Sequence, residues 1–127
     1  MIAEYDGWDA TAMADAVSRG EVSATELLDE ALDRVARLNP RLNAVVLVQK
    51  DKARAAIARG LPDGSLRGVP FLLKDLGCEA VDFPGHNGSR LLANTVWPRN
   101  SAIFDRISAT GVVTFGRTTA PEGGIGA

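Results

Sequence analysis

Gly68-Val-Pro-Phe-Leu-Leu-Lys-Asp75 is the stretch of sequence that decides the fold. Its centre, from Val69 to Leu73, is a continuous apolar run that stops abruptly at a lysine and an aspartate. A short apolar run bounded by turn residues is typical of a buried strand. The sequence therefore predicts a strand at residues 69–73 with two charged residues at its carboxyl end.

Lys74 follows five apolar residues, where a charged side chain is expensive to bury. One interpretation is structural: a lysine at a strand end pairs with Asp75 or extends its ammonium group to solvent. The other is chemical, because a desolvated lysine favours its neutral form and can then accept a proton. Spacing alone favours the structural interpretation and leaves the chemical one open.

The residues before this stretch predict three helices and one strand. The Ser23-Ala-Thr-Glu26 segment is a capping box, and proline disfavours helical geometry in the residue before it, so Asn39-Pro40 predicts the end of the second helix. The β-branched run that follows is uniformly apolar, which predicts a buried strand. The predicted elements are a helix that Asp9 caps and Gly20 ends, a helix from Ser23 to Asn39, a buried strand near 44–48 and a helix from Asp51 to Gly60.

The residues after it predict one helix and one strand. Residues 77–99 are irregular and rich in turn formers, Ser101 can cap a helix at 102–110, and a strand follows at 112–115. The segment from Gly111 to Thr118 nearly matches a phosphate-binding loop, with Arg117 in place of the required lysine. That motif needs a strand before it and a helix after it, so the opposite order predicted here argues against nucleotide binding.

Composition excludes several classes of protein. The 127 residues are 46% apolar and 24% charged, close to the average for globular domains, which argues against disorder and coiled coils. No apolar run approaches the roughly 20 residues that cross a bilayer. The acidic first residues do not resemble a secretory signal, so we expect a cytoplasmic protein without membrane contacts.

Charge and reactive side chains narrow the chemistry further. Residues 1–33 contain nine acidic residues and one basic residue, while residues 34–127 contain seven and thirteen. The basic residues are scattered singly, so we expect no nucleic-acid partner. One cysteine excludes an internal disulfide, and with one histidine we expect no metal and no cofactor. His86 could act as a general base, but neither Cys78 nor Ser89 stands in a nucleophile motif, and a loop histidine is favoured.

Several parts of the sequence together resemble the opening third of the amidase signature family. They are the 68–75 stretch, Gly88-Ser-Arg90, and the stretch from Ser101 through Gly111, Val113, Gly116, Arg117, Thr118 and Glu122. The Val-Pro-x-x-x-Lys-Asp block is the specific part of this resemblance. Within the family, Trp8-Asp-Ala-Thr11 and the 20–28 segment are most similar to bacterial enzymes such as the 6-aminohexanoate cyclic dimer hydrolases.

The resemblance implies an α/β fold, a mixed β-sheet flanked by helices, of which this chain supplies the N-terminal part. It also implies an amidase that hydrolyses carbon–nitrogen bonds of small-molecule amides with a Ser-cis-Ser-Lys triad. Lys74 falls on the family's catalytic lysine, and Asp75 is assigned a supporting role, in which it orients backbone or helps to hold the lysine. Arg117 replaces the lysine that the family usually has, which we interpret as a mild substitution.

The two serines of such a triad belong to a glycine- and serine-rich segment that the family places downstream. The resemblance therefore implies that residues 1–127 are the N-terminal part of a single amidase domain, with the C-terminal remainder absent. We expect the chain alone to hydrolyse no amide and to need that missing polypeptide. The alternative is an inactive fragment or interaction module that docks on a partner, or on a second copy, through an exposed sheet edge.

Overall fold

A computed structural model describes residues 2–126. They form four α-helices, one three-stranded sheet and three single 3-10 turns. The helices are α1 (Ala10–Ser18), α2 (Ala24–Leu42), α3 (Lys50–Arg59) and α4 (Ala102–Ala109); the strands are β1 (Val45–Val48), β2 (Pro70–Lys74) and β3 (Val113–Thr118); the 3-10 turns are Tyr5–Gly7, Arg90–Leu92 and Glu122–Gly124. None of the helices within residues 2–126 combines the length and apolarity that a membrane span requires.

Capping side chains begin three of the helices, as the sequence predicts. Asp9 accepts a hydrogen bond from the backbone N–H of Ala12, and Ser101 accepts one from Phe104. At α2 the capping box is complete, since the Ser23 hydroxyl accepts from the Glu26 N–H while the Glu26 carboxylate accepts from the Ser23 N–H. These bonds satisfy N–H groups that a helix start leaves unpaired.

The end of α2 differs from the prediction, because the helix continues through Pro40 to Leu42. Proline removes the hydrogen bond to the carbonyl four residues earlier, but that carbonyl belongs to Ala36, which is exposed and can bind water. The helix ends instead at Asn43, whose backbone has the left-handed conformation (φ 50°). A proline in the last, exposed turn of a helix therefore does not end it.

The sheet is mixed, with strand order β1-β3-β2. β3 is central, antiparallel to β1 and parallel to β2, and the chain enters it from α4. β1 lies so close to β3 that a side chain on Gly116 would overlap the carbonyl oxygen of Leu47. The pairing of β1 with β3 therefore requires glycine at this position.

Helices cover both faces of the sheet. Val113 and Phe115 of β3 pack with α2 and α3, whereas Leu73 of β2 packs with Phe104 and Ile107 of α4 on the other face. Alternating residues of a strand point to opposite faces, which accounts for the separation. The prediction of a mixed sheet flanked by helices is confirmed.

The strands differ from the sequence prediction in burial and length. β1 is half-exposed, with Val46 50% and Val48 42% accessible, so the prediction of a buried strand at 44–48 is wrong. The reason is position, because β1 pairs with a strand on one edge only among the described residues. β3 extends to Thr118, three residues beyond the predicted end, and includes a charged residue in its buried interior, Arg117.

The first residues fold back onto α2. Glu30 is buried and accepts a hydrogen bond from the backbone N–H of Ile2. Arg34 bonds to Glu30 and Asp6, and its guanidinium carbon lies 4.5 Å from the centre of the Tyr5 ring. These contacts fix the 2–8 segment against the middle of the longest helix.

Candidate active site

Lys74 is the last residue of β2, at the carboxyl edge of the parallel pair β2 and β3. It lies opposite Thr118, the last residue of β3, so the loops that follow both strands start at the same edge. In open α/β sheets this edge is where ligands bind. The position fits a side chain that meets a substrate.

The Lys74 side chain is exposed and forms no hydrogen bond or ion pair among residues 2–126. This differs from the expectation of a lysine desolvated by a buried strand, because β2 is only partly covered and Leu73 is its one buried residue. Asp75 does not pair with it either. Any desolvation of the ammonium group must therefore come from polypeptide or substrate outside these residues.

Asp75 is buried, 4% accessible, and its side chain bonds to the loop that follows β2. Its two carboxylate oxygens accept hydrogen bonds from the backbone N–H groups of His86 (2.7 Å) and Gly88 (3.1 Å). Its own N–H donates to the carbonyl of Thr118 at 2.9 Å. The side chain thus holds the far end of the loop that leaves β2.

Arg117 is the most deeply buried charged residue described, at 1% accessible. Its three guanidinium nitrogens donate to three different carbonyls: Nε to Phe83 (2.7 Å), Nη1 to Lys74 (2.8 Å) and Nη2 to Cys78 (2.8 Å). Burial lowers the pKa of the guanidinium below its ordinary value, and the negative charge of Asp75 opposes that change. A cation whose three nitrogens each donate a hydrogen bond can be accommodated in such a position.

Arg117 therefore binds the backbone of the lysine itself, and its interpretation as a mild substitution stays a prediction. Sequence reasoning treated Arg117 as part of a rejected phosphate loop and ended the strand before it. One signal was available: an arginine placed directly after the apolar run 112–115 and a glycine is unusual unless its charge is satisfied by fixed partners.

The loops after β2 and β3 also contact each other. The Ser89 hydroxyl donates to the Glu122 carboxylate at 2.6 Å, and the backbone N–H of Gly123 donates to the carbonyl of Asn87 at 2.8 Å. Gly88 lies against the carbonyl of Ala120, where a side chain would overlap it. The two loops therefore form one connected wall beside the carboxyl edge.

His86 and Cys78 lie in this wall without forming a catalytic pair. His86 contributes its backbone N–H to Asp75, and its imidazole is hydrogen-bonded to neither Cys78 nor Ser89 in the described part of the chain. Across residues 2–126, no three His, Cys, Asp or Glu side chains are grouped as metal ligands.

Two surface grooves lie away from the lysine. One, of about 530 Å³, lies between α1, the end of α3 and the 61–67 loop. The other, of about 720 Å³, is lined by Glu79, Asp105 and residues 97–102. Neither groove includes Lys74.

Similarity to known proteins identifies the class of protein to which this fold and the Lys74 edge of the sheet belong. Residues 26–127 match the family model described as Amidase. The chain is 42% identical over 113 residues to a glutamyl-tRNA(Gln) amidotransferase subunit from Chromobacterium violaceum, covering 84% of this chain and 23% of that protein. It is 35% identical over 130 residues to the 6-aminohexanoate-cyclic-dimer hydrolase of Paenarthrobacter ureafaciens, covering 97% and 25%.

The fold is similar as well. A solved structure of 6-aminohexanoate cyclic dimer hydrolase matches 96% of this chain and 25% of its own, with a TM-score of 0.85 and 31% identity. The chain therefore belongs to the amidase signature family and corresponds to its N-terminal portion. It spans about a quarter of the length of the relatives it matches.

Proposed function

We propose that this chain is part of an enzyme that hydrolyses carbon–nitrogen bonds of small-molecule amides, and that Lys74 is its catalytic lysine. The observation that carries the proposal is the position of Lys74: an exposed amine at the carboxyl end of a parallel strand, with its backbone bonded to β3 and to Arg117. Membership of the amidase family supports the reaction type.

In the proposed mechanism, the neutral amine of Lys74 accepts a proton from a nucleophilic serine through a bridging cis serine. The serine oxygen attacks the amide carbonyl, the amine leaves with a proton, and water then hydrolyses the acyl-enzyme. Both serines lie outside residues 1–127 in this proposal. The remaining polypeptide would also supply the desolvation that the exposed lysine lacks here.

The relatives leave the identity of the amide open. One is named for the hydrolysis of a cyclic dimer and another for amidotransfer involving glutamyl-tRNA. We therefore propose the substrate class, an amide of a small molecule, without naming a member.

The test is an assay of amine release from a simple aryl amide. The open reading frame is expressed with the codons that follow Ala127, as wild type, as Lys74→Ala, and as Lys50→Ala, an exposed lysine in the first turn of α3. We expect Lys74→Ala to lower kcat by roughly 10³-fold or more and Lys50→Ala to leave it unchanged. An unchanged rate in Lys74→Ala would disprove the assignment.

Residues 1–127 alone provide a second measurement. We expect no amide hydrolysis from them, because the nucleophile is absent. Turnover that disappears in Lys74→Ala would place the nucleophile within these residues instead.

A second candidate function is docking without catalysis. The observation that favours it is the sheet itself, since among residues 2–126 β1 and β2 each pair on one edge only and β1 exposes two valines. Unpaired edges of this kind template pairing with another chain, a missing C-terminal polypeptide or a second copy. Elution of the isolated chain as a folded monomer would count against docking.

A further inference from the structure

We propose that Arg117 is a positioning residue for Lys74: it fixes the lysine's main chain and the loop beside it, so that the amine is presented from a rigid edge. This inference rests on the proposed function in one respect only, that Lys74 is the group whose placement matters.

The geometry of the guanidinium is the first argument. Each of its nitrogens donates to a different carbonyl, and the three carbonyls come from the end of β2 and from two positions in the loop that follows. The planar group with donors fixed in a fork can bridge points that a single ammonium nitrogen cannot. Arg117 thus ties Lys74, Cys78 and Phe83 to one rigid strand.

Asp75 performs the complementary task on the same loop. It accepts N–H groups from His86 and Gly88, whereas Arg117 donates to carbonyls. A buried anion from the end of β2 and a buried cation from β3 therefore hold opposite kinds of backbone group along residues 74–88. The loop has no regular secondary structure, so these side chains replace the hydrogen bonds that a strand or helix would give it.

Gly85 shows how tightly the guanidinium is enclosed. A Cβ atom at this position would lie 2.9 Å from the Arg117 guanidinium carbon and 3.1 Å from Nε and Nη1. Glycine here leaves the space that the guanidinium occupies. Gly85→Ala therefore displaces the guanidinium without removing its charge, which gives a second way to disturb the same contacts.

The position of the Arg117 contacts distinguishes a role in placing the lysine from a role in stability alone. The carbonyl that Nη1 binds is that of Lys74 itself, so a change at Arg117 acts directly on the residue that carries the amine. A displacement of about 1 Å at a reacting group can lower a rate by about 10²-fold. Such a displacement would affect substrate binding by residues away from Lys74 much less.

The first test uses residues 1–127 and needs no activity. Amide hydrogen exchange is measured for wild type, Arg117→Met, Arg117→Lys, Gly85→Ala and the control Gly7→Ala, where no atom lies within 4 Å of an added Cβ. We expect exchange at the His86 and Gly88 amides to accelerate at least about 10-fold in Arg117→Met and Gly85→Ala, and less in Arg117→Lys. Amides in the middle of α2 should keep their rates in every variant.

Equal acceleration in α2 and in the loop would mean global destabilisation and would overturn the proposal, as would an unchanged loop. If Arg117→Met does not fold, Gly85→Ala gives the same readout with the charge retained. This measurement stands even if the chain proves to have no amidase activity.

The second test uses the protein with its downstream polypeptide and the aryl amide assay. We expect Arg117→Met and Gly85→Ala to lower kcat by about 10- to 100-fold with KM within about twofold, and Arg117→Lys to recover part of the loss. A rise in KM with unchanged kcat would overturn the positioning role. Absence of turnover in wild type would refute the amidase proposal, while the exchange result would still decide whether Arg117 fixes the Lys74 loop.

Discussion

Asn39 and Val45 are joined by two hydrogen bonds that together close the connection between α2 and β1. The Asn39 amide nitrogen donates to the Val45 carbonyl at 2.9 Å, and the Val45 N–H donates to the Asn39 amide oxygen at 2.8 Å. The Asn39 side chain therefore forms the two backbone hydrogen bonds that a neighbouring strand would otherwise form with Val45, the first residue of β1. It also explains why a residue before a proline stays helical, since these bonds offset the usual preference for extended backbone.

Asn39→Ala should lower the free energy of unfolding by about 1–3 kcal/mol, because it leaves a partly buried N–H and carbonyl of Val45 without partners. The measurement is urea unfolding followed by circular dichroism. Asn94→Ala is the matched control, since Asn94 is exposed and has no described hydrogen bond. Equal midpoints for the two variants would contradict the role of the pair.

Tyr5 is the only tyrosine in the sequence, so phenolate absorbance reports on it alone. Burial raises its pKa above the ordinary value of 10.0, with the Arg34 cation opposing the change. The folded chain should therefore titrate above pH 10 and the urea-unfolded chain near pH 10. Since the folded pKa is the higher one, this group's stabilising contribution is present below pH 10 and is lost as the pH rises through the folded value. Identical midpoints in both states would show that Tyr5 is not buried against α2.

Glu26 makes the α2 capping box dependent on pH. Hydrogen bonds from the backbone N–H and then the hydroxyl of Ser23 lower the pKa of the Glu26 carboxyl below 4.5. Because the folded pKa is the lower one, the stabilisation is present above pH 4.5 and is lost as the pH falls through the folded value. The melting temperature of Glu26→Gln should lie below that of wild type at pH 6, and the difference should shrink on acidification. A difference that stays constant to about pH 3 would contradict this.

At Gly116, β1 lies too close to β3 to leave room for a side chain. Gly116→Ala should destabilise the chain by about 1–3 kcal/mol, because the new methyl group must displace the Leu47 carbonyl from the strand pair. Gly7→Ala is the control, with open space around the added carbon. Chemical denaturation checks both, and a neutral Gly116→Ala would show that β1 can move away freely.

Local signals in the sequence predicted most of the secondary structure. The caps of α1, α2 and α4 are decided by residues within one turn, so Asp9, Ser23 and Ser101 could be identified without tertiary information. The bounds of β2, residues 70–74, differ by one residue from the predicted 69–73, because the apolar run that defines the strand is also a local signal. The end of α2 could not be predicted from local signals, because the helix continues through Pro40 with the help of hydrogen bonds from the Asn39 side chain to Val45, a residue beyond the helix.

Burial and long-range pairing could not be read from the sequence. Nothing in the Val45–Val48 run distinguishes an edge strand from a central one, because that depends on which strands pair with it. Arg117 was missed for a related reason: its partners lie 34 to 43 residues away in sequence. The position of Lys74 at a strand end could be predicted from the apolar run before it. Its exposure could not, because it depends on how much polypeptide packs on the sheet around it.

The exposed face of β1 gives a final prediction about association. Val46 and Val48 are the two outward residues of a strand whose second edge is unpaired among the described residues, and such apolar edges promote pairing between chains. We expect the wild-type chain at roughly 100 μM to elute above its mass of 13.4 kDa. The double variant Val46→Lys with Val48→Lys should shift it toward the monomer, because two ammonium groups on each edge repel a second copy. Leu91→Lys, at an exposed residue of the 90–92 turn, is the control and should leave the elution unchanged. A monomeric wild type would count against docking, and association that the lysines do not reduce would locate the docking surface away from β1.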